Sequence, residues 1–569
     1  MTAPQPPAPE PVQIWPVQTW IDLAARATGS GDRAQAQGLL RRALGVQPAA
    51  AAAWFNLGVA ADRHAASAAY RRTLALEPAA LDAATNLAEL LSARSPSLAM
   101  APLKRGIAVS PAIAPALNAL GLLHRNGADN DGAARWFARA SALWPDNAWL
   151  ASNRLLQLSY GPISGEDLFR RHRDWARRYA PDAARPPPAD RSRDPEKRLR
   201  IGYVSADLAR HPVGFFLLPV LAHRDRTQVE TICYSGRGDG DAMTARLKSL
   251  ADRWVETASL DDAALDARIR ADAIDILVDL SGHTGAHRLA VFARKPAPLQ
   301  ASWAGYPATT GLTQIDYLIA DRHQVSAEDE RFYTERILRI DPGYIAYAAP
   351  EDAPAVADLP AARNGFVTFG SLNNLAKLNP GVFALWAKVL AQVPGSRLLL
   401  AWQSLGDEKV RARLRAMAEA AGIADERLLL RPGAEGAAFL ARYGEIDIAL
   451  DPFPYSGGLT TVEALWMGVP VVAGKGERFA ARHSASHLSQ ARLDDWIAAS
   501  PEAYVARAAA AAADLPGLAR LRASLRSSLM ASPLCDAKGF TQKLEALYRR
   551  IWRERGAGET SRPADGTPA

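Results

Sequence analysis

Residues 451–472, DPFPYSGGLTTVEALWMGVPVV, contain the residue types that hold a phosphate group. An aspartate closes an apolar run, and glycines and threonines then precede a segment of helical character. At a helix start, free backbone N–H groups, the helix dipole and a hydroxyl group can together bind a diphosphate. The phosphate ligands predicted on this basis are Gly457, Gly458, Leu459 and Thr460. An ordinary capped helix after a glycine turn is the alternative interpretation.

Two charged residues are predicted to complete this phosphate site. Glu463 lies one turn inside the helix, where its carboxylate can accept hydrogen bonds from ribose hydroxyls. Lys377 lies in the segment GSLNNLAK, where an apolar strand of the same half of the chain ends. Its ammonium group could neutralise a leaving phosphate without a metal. A solvated lysine on a loop is the alternative interpretation of Lys377.

A loop in an earlier part of the chain contains a candidate proton acceptor. His211 lies in GYVSADLARHPVGFFLLPVL, where an apolar strand ends and a helix begins. A histidine, whose unperturbed pKa is about 6.5, can accept a proton from a hydroxyl group at neutral pH. A capping residue beside Pro212 is the alternative. Asp239 is a second candidate near that hydroxyl, and the spacing Asp239-x-Asp241 has no further ligand nearby, so we expect no metal site.

A second strand exit of this earlier part, WAGYPATTG at residues 303–311, is rich in glycine and threonine. Gly305 and Pro307 in this segment could hold the sugar of a nucleotide-linked substrate. A plain turn between two elements is the alternative interpretation.

These segments need a framework of strands and helices that brings them together. Short, near-continuous apolar runs alternate with helix-length segments, as buried parallel sheets require. Strands are predicted at 199–205, 229–235, 274–282, 299–305 and 317–321, and then at 366–373, 396–401, 427–431, 446–451 and 469–473. The sequence therefore predicts two doubly wound α/β halves, with ligands at the carboxyl ends of the strands and a cleft between the halves.

The first quarter of the chain is alanine-rich and repetitive. Prolines close successive units at Pro48, Pro78, Pro111 and Pro145. Their spacing of about 30 to 34 residues matches the tetratricopeptide period, which predicts stacked helix pairs with a concave groove. Asparagines recur at one position of the repeat, at Asn56, Asn86, Asn118 and Asn153. They either pack between helices or form a ladder of amides that holds the backbone of an extended peptide.

Composition limits the class of protein. The 569 residues are 49% hydrophobic, enough for several cores, and the net charge of +7 is spread along the chain, so we expect no nucleic-acid binding. Cys233 and Cys535 form no metal-ligand spacing, which suits a reducing cytoplasmic location. The N-terminus lacks the features of a signal peptide, and no run of about 18 apolar residues predicts a membrane span.

Changes in composition also predict the domain organisation. Residues 1–16 are expected to be disordered, residues 17–178 to form the helical repeats, and residues 179–198 to be a linker rich in proline and charge. The catalytic lobes are predicted at 199–345 and 346–552, with the nucleotide site in the second lobe. The polar, glycine-rich tail at 553–569 is expected to be disordered.

The segments GYVSADLARHP, LQASWAGYPATTG, GSLNNLAK and DPFPYSGGLTTVEALWMGVP resemble the bacterial branch of the protein O-GlcNAc transferases, and the resemblance covers about residues 30 to 550. It implies a helical repeat solenoid followed by two Rossmann-like lobes of the GT-B fold. It also implies inverting transfer of N-acetylglucosamine from UDP-GlcNAc to serine or threonine hydroxyls of proteins, without a metal or other cofactor. Protein acceptors would reach the cleft through the repeat groove.

The resemblance assigns roles to individual residues. Lys377 matches the lysine that contacts the diphosphate, and Asn374 matches a neighbouring glutamine of the animal enzymes. His211 matches the histidine proposed as general base, with Asp239 as a secondary candidate and a solvent path as a further one. The remaining matches are Leu459 and Thr460 to phosphate-binding threonines, Glu463 to a ribose-binding aspartate, Gly305 to the sugar position, Ala434 to backbone that contacts the base, and Arg442 to a nearby arginine.

The chain departs from the animal enzymes around the nucleotide. Phe439 replaces a histidine that stacks on the base, and a phenylalanine ring can still stack there. Gly436 replaces a lysine, and Gly458 and Ala376 replace a histidine and a tyrosine. The segments NNLAK and FPYSGGLTT equally resemble the plant Spindly branch, which implies GDP-fucose as an alternative substrate. A nucleotide-binding repeat scaffold with little turnover is the third alternative.

Overall fold

The computed structural model describes residues 15–110, 113–180, 194–238 and 240–556, without the side chain of Arg63. Asp239, the greater part of the predicted linker at 179–198, and most of the predicted disordered ends at 1–16 and 553–569 lie outside the described residues. The chain divides between His124 and Arg125 into two compact units.

The first unit is built from antiparallel helix pairs, as the repeat period predicts. Asp32 and Asp62 accept hydrogen bonds from backbone N–H groups at the starts of the second helices of two pairs, which stabilises those helix ends. The helices are α1 (Val17–Gly29), α2 (Arg33–Val46), α3 (Ala51–Ala60), α4 (Arg63–Leu76), α5 (Leu81–Leu91), α6 (Pro96–Val109) and α7 (Ala114–Asn126).

The recurring asparagines do not share one environment. Asn56 donates to the Ala52 carbonyl of its own helix, and Asn86 donates to the Tyr70 hydroxyl. Asn118 and Asn153 are only 2% and 3% exposed. The last two amides are therefore packed among helices, which fits the packing interpretation rather than an open ladder of amides.

The second unit begins with three helices and continues into a seven-stranded parallel sheet. The helices are α8 (Asn130–Leu143), α9 (Ala148–Ser159) and α10 (Gly165–Tyr179). The strands are β1 (Leu199–Ser205), β2 (Val229–Ser235), β3 (Arg253–Glu256), β4 (Ile276–Asp279), β5 (Leu299–Trp303), β6 (Tyr317–Ala320) and β7 (Arg336–Arg339). Their order is β3-β2-β1-β4-β5-β6-β7. The helices of this lobe are α11 (Pro212–His223), α12 (Ala242–Leu250), α13 (Asp262–Ala271) and α14 (Leu289–Ala293).

The second lobe is a six-stranded parallel sheet with the order β10-β9-β8-β11-β12-β13. Its strands are β8 (Thr368–Ser371), β9 (Arg397–Trp402), β10 (Leu428–Pro432), β11 (Ile448–Leu450), β12 (Val471–Gly474) and β13 (Ile497–Ala498). Its helices are α15 (Pro360–Asn364), α16 (Pro380–Gln392), α17 (Glu408–Ala420), α18 (Gly436–Ala441), α19 (Leu459–Trp466), α20 (His483–Gln490), α21 (Pro501–Ala513) and α22 (Leu515–Met530), followed by α23 (Ala537–Gly556).

All ten predicted strands are present, and the prediction of a helical solenoid followed by two Rossmann-like lobes is confirmed. Three further strands, β3, β7 and β13, lie at sheet edges and were not predicted. Edge strands are only partly buried and need no continuous apolar run, and β3 and β7 read RWVE and RILR. In both sheets the strand order reverses at the first strand, β1 or β8, so a crevice opens at the carboxyl ends of β1 and β4 and of β8 and β11.

The last helix returns to the first lobe. The Phe540 ring of α23 stacks on Trp303 with centroids 6.1 Å apart, and the hydroxyls of Tyr203 and Tyr548 are 3.4 Å apart. The chain therefore crosses between the lobes twice, before β8 and before α23. The two crossing segments lie side by side, because the Tyr347 N–H donates to the Leu534 carbonyl at 2.8 Å.

Candidate active site

Lys377 lies at the crevice of the second lobe, in a 3-10 turn directly after β8. Its Nζ donates to the Ser456 carbonyl at 2.7 Å and to Asn373 Oδ1 at 3.2 Å, and lies 4.8 Å from the centroid of the Tyr455 ring. Burial lowers the pKa of Lys377, and the nearby Asp451 carboxylate opposes that shift. The ammonium group is thus held in a desolvated position where a phosphate would bind strongly.

Asp451 is a buried carboxyl group whose charge acts on this lysine. It directly follows β11, is 3% exposed, and its Oδ1 accepts the Gly457 N–H at 2.6 Å. Burial raises the pKa of Asp451, while the Gly457 N–H and Lys377 act in the opposite direction. Asp451 and Lys377 therefore hold the same glycine turn, Asp451 through the Gly457 N–H and Lys377 through the Ser456 carbonyl.

The turn between β11 and α19 differs from the prediction at Gly457. The Gly457 N–H is used by Asp451, so Gly457 shapes the turn and does not offer its N–H to a ligand. A Cβ on Gly457 would overlap Thr461 Oγ1 and lie 2.9 Å from Asp451 Oδ1, whereas a Cβ on Gly458 meets no atom within 4 Å. Among the described residues, nothing accepts a hydrogen bond from the N–H groups of Gly458, Leu459 and Thr460. These three groups at the start of α19 are available to a phosphate.

Thr460 and Lys377 converge on one atom. Thr460 Oγ1 donates to Asn373 Oδ1 at 2.8 Å, and Lys377 Nζ donates to the same oxygen. A phosphate oxygen at this point would take both hydrogen bonds. Asn374 lies beside this point, where its side chain accepts the Ala376 N–H at 3.0 Å and caps the turn that holds Lys377.

Glu463 is one helical turn inside α19 and is only 8% exposed. Burial raises the pKa of its carboxyl group to about 8, and the positive charge of Arg210 opposes this shift. Arg210 belongs to the first lobe, after β1, and a Cβ on Gly436 of the second lobe would lie 3.5 Å from Arg210 Nη2. Side chains from both lobes therefore face each other across the cleft near the predicted ribose position.

The predicted base-binding residues surround the start of α18. Ala434 lies in the loop after β10, and the Phe439 ring lies 6.1 Å from that of Tyr443 in a T-shaped arrangement. The Tyr443 hydroxyl donates to the Thr460 carbonyl at 2.8 Å, which connects this region to α19. Arg442 pairs with Glu445 at 2.7 Å, so this arginine has a protein partner in the described structure.

His211 lies at the start of α11, on the first-lobe side of the cleft. Its Nδ1 accepts the Val213 N–H at 3.4 Å and lies 3.9 Å from Asp207 Oδ2. Although 43% of the side chain is exposed, the surrounding protein lowers the pKa of His211 through desolvation, and Asp207 opposes this. Because Nδ1 accepts a hydrogen bond, the neutral ring carries its proton on Nε2. Nε2 can accept a proton from a substrate only if the ring proton moves to Nδ1, and that move breaks the hydrogen bond from the Val213 N–H.

Gly305 and Pro307 lie where β5 ends. A Cβ on Gly305 would overlap the Leu280 carbonyl, so only glycine fits this close approach. Pro307 is buried and lines a small cavity together with Arg478 and Phe479 of the second lobe. Helix α10 supports this loop, because the His172 ring and the hydroxyl of the neighbouring Tyr306 are hydrogen-bonded at 2.8 Å.

The described residues contain no group of three or more histidine, cysteine or acidic side chains that could hold a metal ion. Asp241 of the predicted Asp-x-Asp pair is engaged elsewhere, because its carboxylate accepts the N–H groups of Arg210 and Thr244. In the part of the chain that the model covers, no helix combines the length and apolarity needed to cross a membrane.

Sequence reasoning gave no role to three residues of this site: Asp451, Ser456 and Arg210. Asp451 and Ser456 lie within the phosphate-binding segment, and Arg210 directly precedes His211. An acidic residue that ends a buried strand is a signal for Asp451, since buried carboxylates need partners. No local pattern shows that the Gly457 N–H is that partner or that Lys377 lies nearby, because Lys377 belongs to a different strand exit.

Comparisons with known proteins show which family this chain resembles. The model of glycosyl transferase family 41 matches residues 187–346 and 358–544. The chain is 38% identical over 415 residues to the "Probable UDP-N-acetylglucosamine--peptide N-acetylglucosaminyltransferase SPINDLY" of Solanum lycopersicum, covering 72% of this chain and 45% of the relative. A relative named SEC from Arabidopsis thaliana is 30% identical over 375 residues, 64% of this chain and 38% of the relative. The chain thus spans less than half the length of these curated relatives.

A solved structure matches the chain over nearly its whole length. It is a lysine-to-methionine mutant of the O-GlcNAc transferase of Thermobaculum terrenum, with 36% sequence identity and a TM-score of 0.77. The match covers 95% of this chain and 98% of that one. The resemblance drawn from the four sequence segments is therefore confirmed at the level of the family.

The two glycines of the turn give a matched pair of substitutions. Gly457→Ala should lower the free energy of unfolding by about 1–3 kcal/mol, because the added methyl group collides with Thr461 and crowds Asp451. Gly458→Ala should change it by less than about 0.5 kcal/mol, because no atom lies near its Cβ. Urea unfolding of both variants measures this, and equal losses would contradict the described turn.

Glu463 should make stability depend on pH. The pKa of about 8 in the folded protein exceeds the ordinary value of 4.5. The contribution of Glu463 to the free energy of unfolding is therefore fully present below pH 4.5 and is lost as the pH rises through 8. The variant Glu463→Gln lacks this pH dependence, so its free energy of unfolding, relative to that of the wild type, should rise by at least about 2 kcal/mol between pH 5 and pH 9. The exposed Glu419→Gln is the control, and a pH-independent difference for Glu463→Gln would contradict the burial of this carboxyl group.

Proposed function

The chain belongs to glycosyl transferase family 41, and on this premise we propose that it is an inverting protein O-GlcNAc transferase. It would move N-acetylglucosamine from UDP-GlcNAc to serine or threonine hydroxyls of proteins. The observation that carries this proposal is that Lys377 and Thr460 both donate to Asn373 Oδ1 beside the start of α19, where three N–H groups have no acceptor among the described residues. The activities for which the Solanum relative and the Thermobaculum protein are named support N-acetylglucosamine as the transferred sugar and peptides or proteins as the acceptors.

The second lobe binds the nucleotide in this proposal. The diphosphate takes the N–H groups of Gly458, Leu459 and Thr460 and an ion pair with Lys377. The ribose hydroxyls lie at Glu463, and the uracil lies near the Ala434 backbone and the Phe439 ring. A bound diphosphate raises the pKa of Lys377 again, because its negative charge offsets the desolvation that lowers it.

The reaction is a single displacement at the anomeric carbon. The acceptor oxygen forms a bond to this carbon from the face opposite to UDP, and the bond to the diphosphate oxygen breaks with its electron pair leaving on UDP. The acceptor proton passes to His211, to Asp239 or to solvent. Lys377 and the helix dipole stabilise the leaving diphosphate, so no metal is needed. Such prearranged charge is commonly the largest contribution to catalysis.

Two rivals remain from the sequence. The likeness to Spindly relatives favours GDP-fucose as an alternative substrate, and Phe439 could stack on guanine as well as on uracil. In the second alternative function, the protein is a scaffold that binds the nucleotide through the same groups and releases it without transferring the sugar. The acceptor proteins would be presented by the helical repeats in either enzymatic case.

Nucleotide preference separates the first two candidates. UDP at about 100 times its Kd should stabilise the protein by about 2.7 kcal/mol and raise Tm by at least about 3 °C, whereas GDP at the same concentration should raise it by less than about 1 °C. Thermal unfolding with UDP, GDP, UDP-GlcNAc and GDP-fucose measures this. Stabilisation by the guanosine compounds alone would reject UDP-GlcNAc as the substrate.

Lys377→Ala tests the mechanism and the scaffold alternative together. Removal of the ammonium group should reduce sugar transfer by about 10²–10³-fold, because the leaving diphosphate loses its nearest positive charge. Transfer of isotopically labelled N-acetylglucosamine to a candidate acceptor, read by mass spectrometry, measures this. Lys538→Ala, an exposed lysine on α23, is the control. Full activity of Lys377→Ala would overturn the mechanism, and wild-type protein that binds UDP-GlcNAc but transfers to no acceptor would favour the scaffold.

A further inference from the structure

A cavity of about 680 Å³ lies in the second lobe on the other side of the loop that follows β11. It is bounded by the first turns of α16 and α21, by the ends of β12 and β13, and by the loop after α9 at residues 162–164. Its walls are mainly apolar, including Ile163, Leu385 and Phe453. A volume of this size with mostly apolar walls is typical of sites for small molecules.

One wall of the cavity exposes a large apolar side chain. Phe453 lies between Pro452 and Pro454 and is 40% exposed. The loop is fixed at its base, because the Asn379 side-chain amide donates to the Phe453 carbonyl at 2.7 Å. A phenylalanine held rigidly at a cavity mouth gains free energy when an apolar group covers it.

The charges around the cavity favour an anion. The cavity is lined by three basic residues, Lys388, Lys475 and Arg478, and by two acidic ones, Glu477 and Asp451. Asp451 contributes less negative charge than an ordinary aspartate, since burial raises its pKa. The first residues of α16 and α21 also line the cavity and place the positive ends of two helix dipoles there.

Arg478 adds to this positive potential. Its Nη2 donates to the Gly161 carbonyl at 2.9 Å, and its Nη1 is buried with no hydrogen-bond partner among the described residues. The half-buried guanidinium lies beside the exposed Glu477, and its positive charge adds to those of Lys388 and Lys475. The cavity therefore combines a mainly apolar interior with an edge where basic side chains outnumber acidic ones.

We propose that this cavity is a second ligand site, for a small molecule with an apolar body and one anionic group. The apolar body packs against Phe453, Leu385 and Ile163. The anionic group lies at Lys388, Lys475 and Arg478. Because the cavity is separate from Lys377 and α19, the ligand and a nucleotide bind at the same time.

The site is connected to the cleft by one loop. The loop that presents Phe453 to the cavity continues into Ser456, whose carbonyl accepts from Lys377 Nζ, and Asp451 borders both the cavity and Lys377. A ligand that moves this loop or the Asp451 carboxyl group changes the position or charge of Lys377. On the proposed function, the ligand therefore regulates binding of UDP.

The probe 8-anilinonaphthalene-1-sulfonate has the required chemistry, an apolar ring system with one sulfonate. Its fluorescence is titrated against the full chain with UDP present at saturation, so that the nucleotide cleft is filled. We expect the probe to bind to one class of sites. Decanoate should displace it at concentrations at least about tenfold lower than decanol, because decanol has the same apolar chain without the negative charge. Equal displacement by both compounds would overturn the anionic part of the proposal.

Filling the cavity tests its location. Ala384→Trp and Ala499→Phe place a ring inside from opposite walls, at residues that are solvent-exposed and therefore tolerant of substitution. Each should weaken probe binding by at least about tenfold. Ala391→Trp is the matched control, an exposed alanine of the same helix that does not line the cavity, and should change affinity less than twofold. Unchanged probe affinity in folded Ala384→Trp and Ala499→Phe would overturn the assignment.

Charge removal tests the cationic edge. The double substitution Lys388→Gln and Lys475→Gln should weaken binding of the probe by about tenfold. Lys409→Gln, at an exposed lysine of the same lobe, should leave the probe affinity unchanged. An unchanged affinity in the double variant would overturn the role of these lysines. These arms compare the probe affinity of each variant with that of the wild type, so the comparison stands even if the chain binds no UDP.

The regulatory coupling has its own measurement. Saturation with the probe should change the Kd for UDP, and saturation with UDP should change the Kd for the probe by the same factor, as linkage requires. Isothermal titration of each ligand with and without the other supplies both factors. Two independent affinities would overturn the coupling, whereas failure of UDP to bind would count against the proposed function only.

Discussion

The structure of this site depends on two desolvated titratable groups, Lys377 and Asp451, which follow the adjacent strands β8 and β11 where the strand order of the second sheet reverses. Polar groups taken out of water are costly without partners, and here backbone groups supply them: the Ser456 carbonyl for the lysine and the Gly457 N–H for the aspartate. These two hydrogen bonds hold the glycine turn, and the three N–H groups that follow it at the start of α19 have no acceptor among the described residues. The contacts that hold the turn therefore leave a candidate anion site beside it.

The first lobe contributes the opposite wall of the cleft through the exits of β1 and β5. His211 and Arg210 follow β1, and Gly305 follows β5. In the proposed mechanism, proton transfer and sugar binding would therefore belong to a different lobe from the nucleotide, and the nucleotide could stay in place while the acceptor varies. The hydrogen bond between His172 and Tyr306 extends the wall to α10, so the helical part of the second unit also positions the cleft.

Much of this architecture could be predicted from the sequence, because buried parallel strands need continuous apolar runs and repeated helix pairs need a regular period. Edge strands such as β3 and β7 were not predicted, because partly solvated strands need no continuous apolar run. The candidate phosphate-binding segment was predictable from local chemistry at the level of residue types. The distribution of hydrogen bonds within it was not, because residue types do not show that the loop after β11 closes on itself with the Gly457 N–H donating to Asp451. The roles of Asn374, Ala434, Phe439 and Arg442 at a nucleotide stay predictions.

The double crossing between the lobes has a mechanical consequence. Two adjacent chain segments, joined by the Tyr347–Leu534 hydrogen bond, link the lobes at one edge of the cleft. Phe540 and Tyr548 anchor α23 to the first lobe. Arg482 and Ser486 of the second lobe also bond to Asp329 and Asp321 of the first. Any widening of the cleft would therefore have to bend both crossing segments together or break these bonds.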